Sequence, residues 1–379
     1  MHPTISVIEN YIQSRVNESK VLQQRDKNQL LLHQKNYKTT TRRAWRANKL
    51  IAEGSFSQVF AVQPRLHTHA QIASQKQNEQ QRLVLKQIHP TLASRNAAAT
   101  STGTQQKQQR QEIYDQATAD LMLEALYLTH VQHPHIVSVH AMSDSSQDFF
   151  VILEECPTTL AAKIMEAKEQ QKESNNHTFS SAFLRYVTQL ASSLQYLHSH
   201  RIILRDLKPN NVGISQQDAV KLMDFGCCRE LPSTATSTSS DEYEVFHMTQ
   251  VGTIRYCAPE VLVGNPYNDK CDVYALALIL YQLQTLQVPY ASLNTSAASQ
   301  QDHIQKVGHV GKRPGLSLYQ VCPEMERIIR KSWQRSLQKR WSAQQVYQAL
   351  LTHTTTKATQ ISSLSLQSEA STPYVEEIE

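Results

Sequence analysis

The chain has 379 residues, which is enough for one large two-lobed domain or for two smaller domains with sizeable cores. Its formal net charge of +5 is a mild basic excess that could attract acidic partners, and we expect no nucleic-acid partner. The longest apolar run, Tyr274–Leu280, is too short to cross a bilayer, and the N-terminus lacks the apolar core of a signal peptide. We therefore expect a soluble protein without a membrane span.

Six cysteines are scattered along the chain without the spacing of metal ligands, which is typical of a reducing compartment. Cys227 and Cys228 are adjacent, and this leaves two interpretations open, a redox-sensitive pair or ordinary free thiols. The histidines form no His-Glu-x-x-His arrangement, so we assign none of them to a metal.

Residues 1–46 are rich in Gln, Lys and Asn and have only a weak helical pattern. Much of the basic excess lies here, for example at Arg42 and Arg43. We interpret this segment as a basic, polar N-terminal extension that is solvated and mostly disordered.

A hairpin with a turn of small residues is predicted from Asn48 onwards. Residues 52–57 read Ala-Glu-Gly-Ser-Phe-Ser and are flanked by two β-type runs. Gly54 allows phosphate oxygens to approach the backbone N–H groups closely, and the small Ala52 and Ser57 keep most of that geometry. Taken alone, the pattern favours a plain hairpin.

The run Leu-Val-Leu-Lys-Gln-Ile at residues 83–88 predicts a strand with Lys86 inside it. A lysine rarely occupies such an apolar position unless it has a partner. Residues 67–81, rich in Gln and His, and residues 91–111, rich in Ala, Thr and Gln, are predicted to be insertions on either side.

A helix is predicted at about residues 112–131, with an apolar stripe that contains Glu124. Glu124 and Glu112 are both candidates to pair with Lys86, and an unpaired surface glutamate is the plain alternative.

Further buried elements follow. Phe149–Leu153 predicts a buried strand that leads directly into Glu154–Pro157. Residues 158–178 are polar and predict a helix with an extended loop, and Phe183–His198 is amphipathic and predicts a core helix.

The stretch 202–226 carries the most informative pattern. Asp206 lies five positions before Asn211, and two short apolar runs joined by Ser-Gln-Gln-Asp then predict a β-hairpin. This hairpin would place Asp224 beside Asn211, so that a carboxylate and an amide oxygen could both contact one Mg²⁺. For this stretch alone, a chance Arg-Asp followed by an ordinary loop is the alternative.

Residues 252–260 read Gly-Thr-Ile-Arg-Tyr-Cys-Ala-Pro-Glu and follow a Ser/Thr-rich segment at 233–240. Lys270 opens a strongly apolar helix that contains Asp272, a residue that needs hydrogen-bond donors if it is buried. Residues 354–379 are Ser/Thr-rich and then acidic, and we predict a disordered tail.

These segments, in this order, resemble the protein kinase family over about residues 48–352. The stretch around Asp206 resembles the catalytic loop and Asp-Phe-Gly segment of kinases. Residues 252–260 resemble the end of the activation segment, and residues 52–57 resemble the glycine-rich loop.

The spacing of Cys322-Pro323, Trp333 and Arg340 resembles in particular the tyrosine-kinase-like group of Ser/Thr kinases. The sequence has no Gly-x-x-x-x-Gly-Lys-Ser/Thr motif, which excludes a P-loop NTPase.

The resemblance implies an α+β, two-lobed protein-kinase-like fold. Its small β-rich N-lobe would contain the αC helix, and its larger C-lobe would be mostly helical. We predict a kinase domain at residues 47–353, with the N-lobe at 47–154, the hinge at 154–157 and the C-lobe at 158–353.

The resemblance also implies residue roles. Asp206 would orient the substrate hydroxyl and accept its proton, and Glu124 would pair with Lys86. The implied catalytic residues are Asp206, Lys208, Lys86, Glu124 and Thr253. The implied nucleotide-binding residues are Ile51, Ala52, Glu53, Gly54, Ser55, Phe56, Ser57, Val59, Val84, Lys86, Leu153, Glu154, Cys156, Asn211 and Asp224. The implied metal ligands are Asn211 and Asp224.

Several positions depart from the family pattern. Ala52 and Ser57 replace two glycines of the loop, and Leu204 replaces a histidine of the catalytic loop. Gly213 stands where the family has a bulky apolar residue beneath the adenine, and Val84 is larger than the usual alanine above it. We expect Leu204 to fill the hydrophobic space of the histidine, and we leave open whether Gly213 and Val84 compensate.

The sequence thus predicts a Ser/Thr protein kinase of intracellular signalling that uses ATP and Mg²⁺ to phosphorylate Ser/Thr hydroxyls of protein substrates. We expect a cytoplasmic location, and a nuclear one is also compatible. An upstream kinase acting at Thr249 is predicted to order the activation segment through Arg205, and a segment ordered without phosphate is the alternative. The alternative function is a pseudokinase that binds nucleotide or acts as a scaffold.

Overall fold

The computed structural model of the chain describes residues 39–54, 56–65, 82–89, 104–145, 148–174, 181–231, 244–316 and 321–369. The predictions for residues 1–38, Ser55, 67–81, 91–103, 233–240 and 370–379 lie outside these residues. Among the described residues, no helix is long and apolar enough to cross a membrane.

The small lobe is built on one sheet with the strand order β1-β5-β6-β4-β3-β2. Its strands are β1 (Thr39–Thr40), β2 (Trp45–Glu53), β3 (Ser57–Pro64), β4 (Leu83–Ile88), β5 (Val139–Ser143) and β6 (Phe150–Glu154). Neighbouring strands are antiparallel except β1 and β5, which are parallel. Helix α1 (Thr104–His130) packs against β4 and β5.

Side chains alternate between the two faces of β4, as the strand period requires. Leu83 and Leu85 belong to a small cluster that also contains Trp45, whereas Val84 and Ile88 belong to the main core. Lys86 has the same parity as Val84 and Ile88, so the strand directs it toward helix α1.

The large lobe is mostly helical. Its helices are α2 (Leu160–Ser174), α3 (Ser181–Ser199), α4 (Pro259–Leu262), α5 (Lys270–Thr285), α6 (Ala297–His303), α7 (Pro323–Ser332) and α8 (Ala343–Glu369). Its short strands are β7 (Thr158–Thr159), β8 (Ile202–Ile203), β9 (Val212–Ile214), β10 (Val220–Leu222) and β11 (Arg229–Glu230). Helix α5 is buried from Cys271 to Thr285 and packs against α3 and α7, so it forms the centre of this lobe.

The small sheet with one long helix and the larger helical lobe confirm the predicted two-lobed α+β fold. The hinge 154–157 joins β6 directly to β7, and β7 pairs with β9. The β9–β10 hairpin has the predicted antiparallel pairing. Strand β4, helix α1 and this hairpin therefore approach one cleft between the lobes.

Some predicted boundaries were wrong. The domain start at 47 falls inside β2, which begins at Trp45, and the 5% exposed Trp45 belongs to the smaller core cluster. Helix α1 begins at Thr104, well before the predicted 112. Its first turns are rich in Gln and Lys, which are good helix formers despite their low-complexity appearance.

The predicted disordered tail also begins too early, because helix α8 passes residue 354 and ends at Glu369. The buried Val346 and Leu350 anchor the first half of this helix. Its threonines are compatible with a helix because their hydroxyls donate to carbonyls of the preceding turn, as Thr354 Oγ1 does to Leu350 O at 2.8 Å.

Candidate active site

A lysine–glutamate pair joins the two main elements of the small lobe. Lys86 Nζ lies 2.8 Å from Glu124 Oε1 and 2.7 Å from Glu124 Oε2. Lys86 Nζ is also 3.5 Å from Asp224 Oδ1, which belongs to the large lobe. Glu112, the other predicted candidate, is exposed, so Glu124 is the partner of Lys86.

Burial and the neighbouring charges have opposite effects on the pKa values of Lys86 and Asp224. Burial disfavours the Lys86 ammonium, but the carboxylates of Glu124 and Asp224 outweigh burial and raise the pKa of Lys86. The Lys86 charge in turn lowers the pKa of Asp224, more than burial raises it. A cation and an anion therefore face each other across the cleft at neutral pH.

Asp206 is held by a network of hydrogen bonds. Its Oδ1 accepts from Thr253 N and from Thr253 Oγ1, both at 2.8 Å. Its Oδ2 accepts from Lys208 Nζ at 2.7 Å and from Asn211 Nδ2 at 3.3 Å. Lys208 Nζ also donates to Thr253 Oγ1 at 2.9 Å. The structure thus brings three other predicted site residues, Thr253, Lys208 and Asn211, around the carboxylate of Asp206.

The catalytic loop is anchored from below by helix α5. Asp272, 1% exposed, accepts hydrogen bonds from Leu204 N and Arg205 N at 2.9 Å each. Arg205 has a left-handed backbone with φ 68°, a conformation that is costly for a non-glycine residue and typical of functional sites. Leu204 is buried in the main core, as expected for a leucine in place of the family histidine.

The β9–β10 hairpin carries the two candidate metal ligands. The register pairs Val212 with Leu222, and Met223 N donates to Asn211 O at 2.9 Å, so Asp224 follows directly beside Asn211. Asn211 Nδ2 donates to Asp206 O at 2.9 Å, which leaves the amide oxygen of Asn211 as the acceptor.

These oxygens fit Mg²⁺, which takes one or two protein ligands and completes its shell with phosphate and water. In the part of the chain that the structure describes, no group of three or more His, Cys, Asp and Glu residues forms a metal site. With only the oxygens of Asn211 and Asp224 from the protein, Mg²⁺ would complete its coordination shell with nucleotide phosphates and water.

The turn between β2 and β3 keeps a compact geometry despite its missing glycines. Gly54 N donates to Ser57 O at 2.8 Å, and His89 N donates to Phe56 O at 2.8 Å. The carboxylate of Glu53 contacts His89, and this contact lowers the pKa of Glu53. Ser55, the remaining predicted turn residue, lies outside the described residues. Ala52 is placed in the strand ladder, opposite Val59.

The hinge side of the cleft contains the predicted base-binding residues. Val59 pairs with Lys86, and Val84 pairs with Leu153 across the sheet. Glu154 is held in place, because its Oε1 lies 2.9 Å from Lys221 Nζ. The exposed Ile51 and Phe56 lie on the strand and turn above the cleft.

Cys156 presents a main chain that can recognise a base. Its N–H and C=O have no hydrogen-bond partner among the described residues. Free donor and acceptor groups at a hinge can bond the edge of a planar base.

The activation segment from residue 244 onwards is held by contacts within the protein. Phe246 and Tyr267 form a short antiparallel bridge, and Tyr267 OH donates to Thr249 O at 2.8 Å. Arg205 Nη1 lies 3.5 Å from Thr249 Oγ1, so Thr249 is placed beside the predicted phosphate-binding arginine.

Sequence reasoning missed Tyr267 and His198. His198 is a polar residue at the end of an amphipathic helix, a signal that could have identified it, whereas Tyr267 lies in a polar stretch and has no such signal. His198 Nε2 lies 3.0 Å from Asp272 Oδ2 and thereby supports the residue that anchors the catalytic loop.

The thiols near the site are not activated. Burial, followed by the charges of Asp206 and Asp224, raises the pKa of Cys227 to about 11, and Cys228 is buried. The raised pKa of Cys227 and the burial of Cys228 favour ordinary thiols over a redox-sensitive pair.

A buried ion pair holds the end of the activation segment. Arg340 Nη1 lies 2.6 Å from Glu260 Oε1, and Arg340 Nη2 lies 2.9 Å from Glu260 Oε2. Glu260 is the glutamate of Ala-Pro-Glu, and Arg340 is the arginine whose spacing from Cys322-Pro323 and Trp333 resembles that of tyrosine-kinase-like kinases.

Comparisons with known proteins agree with this geometry. The sequence profile of the protein kinase domain matches residues 94–351, which is more than half of the chain. The matched residues include Glu124, Asp206 and Asp224, whereas Lys86 and the glycine-loop turn precede them.

Relatives with related names match part of the chain. Mitogen-activated protein kinase kinase kinase 13 of Bos taurus is 29% identical over 220 residues, 58% of this chain and 20% of that protein. Mitogen-activated protein kinase kinase kinase dlk-1 of Caenorhabditis elegans is 28% identical over 170 residues, 45% of this chain and 17% of that protein. A "probable serine/threonine-protein kinase" of Dictyostelium discoideum is 26% identical over 253 residues, 66% of this chain and 17% of that protein.

The chain therefore spans only 17–20% of the length of these relatives. Over the matched stretches, the identity to these kinases is 26–29%. Together with the profile match, this shows that the chain belongs to the eukaryotic protein kinase family, and its relatives support the resemblance to the tyrosine-kinase-like group.

Proposed function

We propose that this chain is a serine/threonine protein kinase that transfers the γ-phosphoryl group of ATP to hydroxyl groups of protein substrates. The observation that carries the proposal is the position of Lys86 Nζ, 2.7 Å from Glu124 Oε2 and 3.5 Å from Asp224 Oδ1. Kinase catalysis needs this lysine–glutamate pair and the Asp of Asp-Phe-Gly in place together.

Asp206 interacts with the substrate hydroxyl that accepts the phosphoryl group. Thr253 and Lys208 fix the orientation of its carboxylate, which can then orient a hydroxyl within hydrogen-bond reach and accept its proton. Lys208 also brings a positive charge to the place where the transferred phosphoryl group develops negative charge.

The nucleotide is bound by charge and by oxygen ligands. The Lys86 ammonium suits the α- and β-phosphates, and the oxygens of Asn211 and Asp224 suit Mg²⁺. Bound Mg²⁺ would neutralise charge on the phosphate oxygens. Catalysis then depends mainly on positioning and electrostatic stabilisation.

The class of acceptor hydroxyl and the signalling role are inferred from residue identity and from the names of the relatives. Lys208, two positions after Asp206, resembles the Ser/Thr class, and one matched relative is named a serine/threonine-protein kinase. Other relatives are named mitogen-activated protein kinase kinase kinases, which favours a signalling role. Thr249, beside Arg205, is the proposed target of an upstream kinase.

A cytoplasmic location is part of the proposal, and a nuclear one is also compatible. None of the six cysteines forms a disulfide bond, which supports a reducing compartment.

The test compares acceptor hydroxyls. Purified chain is incubated with radiolabelled ATP·Mg²⁺ and matched peptides that differ only in carrying Ser, Thr or Tyr. We expect label on the Ser and Thr peptides and none with the Asp206→Asn variant. Nucleotide binding without transfer to any peptide would favour the pseudokinase scaffold. Equal transfer by the variant would contradict the role of Asp206, unless a mock purification without the chain transfers label too, which would indicate a contaminating kinase.

A further inference from the structure

Gly213 lies at the base of the cleft, against the side chains of Cys156 and Met223. A Cβ built on Gly213 of β9 would lie 2.5 Å from Cys156 Sγ, 2.6 Å from Cys156 Cβ and 2.8 Å from Met223 Sδ. Real Cβ atoms essentially never come closer than 3.0 Å to another heavy atom, so no side chain fits at this position without a shift. The backbone of Gly213 does not have a positive φ, so proximity and not conformation requires the glycine.

The contacting side chains come from two segments that border the nucleotide cleft. Cys156 belongs to the hinge that follows β6, and Met223 immediately precedes Asp224. Gly213 pairs with Thr159 of β7, so β9 lies directly beneath the hinge. The two sulfur-bearing side chains thus occupy the space that a side chain on residue 213 would need.

The opposite wall is bulky. Val84 and Leu153 form a cross-strand pair, are 8% and 7% exposed and belong to the main core, with Val59 and Met223 packed against the same cluster. Val84 thus closes the slot from above, while Cys156 and Met223 fill the space that Gly213 leaves below. The two sulfur-bearing side chains, and not Val84, therefore compensate for the missing side chain at Gly213.

We infer that the floor of the base-binding slot in this chain is made by Cys156 and Met223 in place of a side chain from β9. A planar base of the adenine type rests on the two sulfur atoms and is covered by Val84. Thiol and thioether sulfurs are polarisable and pack well against aromatic rings. This inference rests on the proposed function, because it describes how the same site holds ATP.

The first experiment removes the Cys156 side chain from the hinge and introduces a side chain at Gly213 of β9, separately and together. Gly213→Leu, Cys156→Gly and the double variant are compared with the wild type for ADP·Mg²⁺ binding by calorimetry. Gly315→Leu is the matched control, since nothing lies within 4 Å of a Cβ there and its φ is not positive. Thermal unfolding without nucleotide shows which variants are folded.

We expect Gly213→Leu to weaken ADP·Mg²⁺ binding by about tenfold or more, because the leucine overpacks the slot against Cys156. The double variant should regain most of that loss, and Gly315→Leu should bind like the wild type. Wild-type affinity in a folded Gly213→Leu, or a folded double variant no better than the single one, overturns the inference.

A second measurement uses only the wild-type chain, so it tests the inference even if Gly213→Leu does not fold. Wild-type chain is treated with a small neutral maleimide, with and without saturating ADP·Mg²⁺, and labelling is followed by mass spectrometry. Burial raises the pKa of Cys156 to about 12, so labelling is slow and needs a long time course. Bound nucleotide should protect Cys156 and leave the exposed Cys322 unprotected.

The outcomes separate this inference from the proposed function. In one outcome, Cys156 is labelled equally with and without nucleotide while calorimetry shows that ADP·Mg²⁺ is bound. This result would overturn the inference that Cys156 and Met223 form the floor of the slot, but not the proposed kinase function. If the wild type binds neither ADP·Mg²⁺ nor ATP·Mg²⁺, both fall together.

Discussion

Lys86 Nζ and Glu124 Oε2 lie 2.7 Å apart, and this ion pair ties strand β4 to helix α1. The side chains are only 15% and 4% exposed, so water screens the pair weakly. Removing one partner therefore leaves a poorly compensated charge at the centre of the small lobe.

Glu124→Gln should lower kcat/KM for phosphoryl transfer by about 10²-fold, because Lys86 loses the carboxylate that positions it. Glu112→Gln, on an exposed position of the same helix, is the control and should leave kcat/KM unchanged. Steady-state kinetics of both variants checks this prediction. Equal effects of the two substitutions would contradict the assignment of Glu124.

Removing one partner of the buried ion pair between Arg340 and Glu260 should cost much more stability than removing one partner of a similar pair at the surface. Arg340 is 0% and Glu260 9% exposed, so Glu260→Gln should cost about 3–5 kcal/mol of unfolding free energy by stranding a buried cation.

Glu324→Gln is the matched control, because it breaks an exposed pair with Arg327 and should cost less than about 1 kcal/mol. Urea unfolding of both variants measures the difference. Similar losses in the two would argue against Glu260 as the anchor of the activation segment.

His198 should make stability depend on pH. Burial lowers its pKa, but Asp269 and Asp272 outweigh burial and raise it above 6.5. The stability that charged His198 contributes is therefore fully present below its unfolded pKa and is lost as pH rises through the higher folded pKa.

The free energy of unfolding of the wild type, relative to His198→Gln, should fall across a pH range that starts near the ordinary histidine pKa of about 6.5 and runs upward. Urea unfolding of both proteins across this range gives the difference directly. A difference that is constant or increases with pH would show that His198 is not charged in the folded chain.

Phosphorylation at Thr249 should increase activity, because a phosphate there would lie next to the Arg205 guanidinium and form charge-assisted hydrogen bonds. The bridge between Phe246 and Tyr267 already holds the segment, so we expect an increase of several-fold rather than an all-or-none switch.

Specific activity is compared for the phosphorylated wild type, the phosphatase-treated wild type and Thr249→Ala. If phosphatase treatment and Thr249→Ala both leave activity at the level of the phosphorylated protein, the segment is ordered without phosphate.

The sequence predicted those parts of the site in which chemistry dictates residue type and spacing. A lysine within an apolar strand required a partner, and Glu124 is that partner. The hairpin after Asn211 followed from two short apolar runs, and its register places Asp224 as predicted.

Features set by tertiary packing could not be predicted in this way. Trp45 looked like part of a basic extension because its apolar cluster comes from strands distant in sequence. The contact of Cys156 with Gly213 depends on how closely the hinge approaches β9, which no local pattern encodes. The helix beyond residue 354 was missed because its threonines suggested disorder, although their hydroxyls bond back to the helix.

The most direct test of the account separates binding from transfer at Asp206. The Asp206→Asn variant should bind ATP·Mg²⁺ within about threefold of the wild type by calorimetry, because Lys86, Asn211 and Asp224 remain. Its rate of phosphoryl transfer in single-turnover experiments should fall by at least about 10²-fold, because the acceptor hydroxyl loses its proton acceptor. Transfer at the wild-type rate by the purified variant would contradict the role of Asp206, and with it the active site described above.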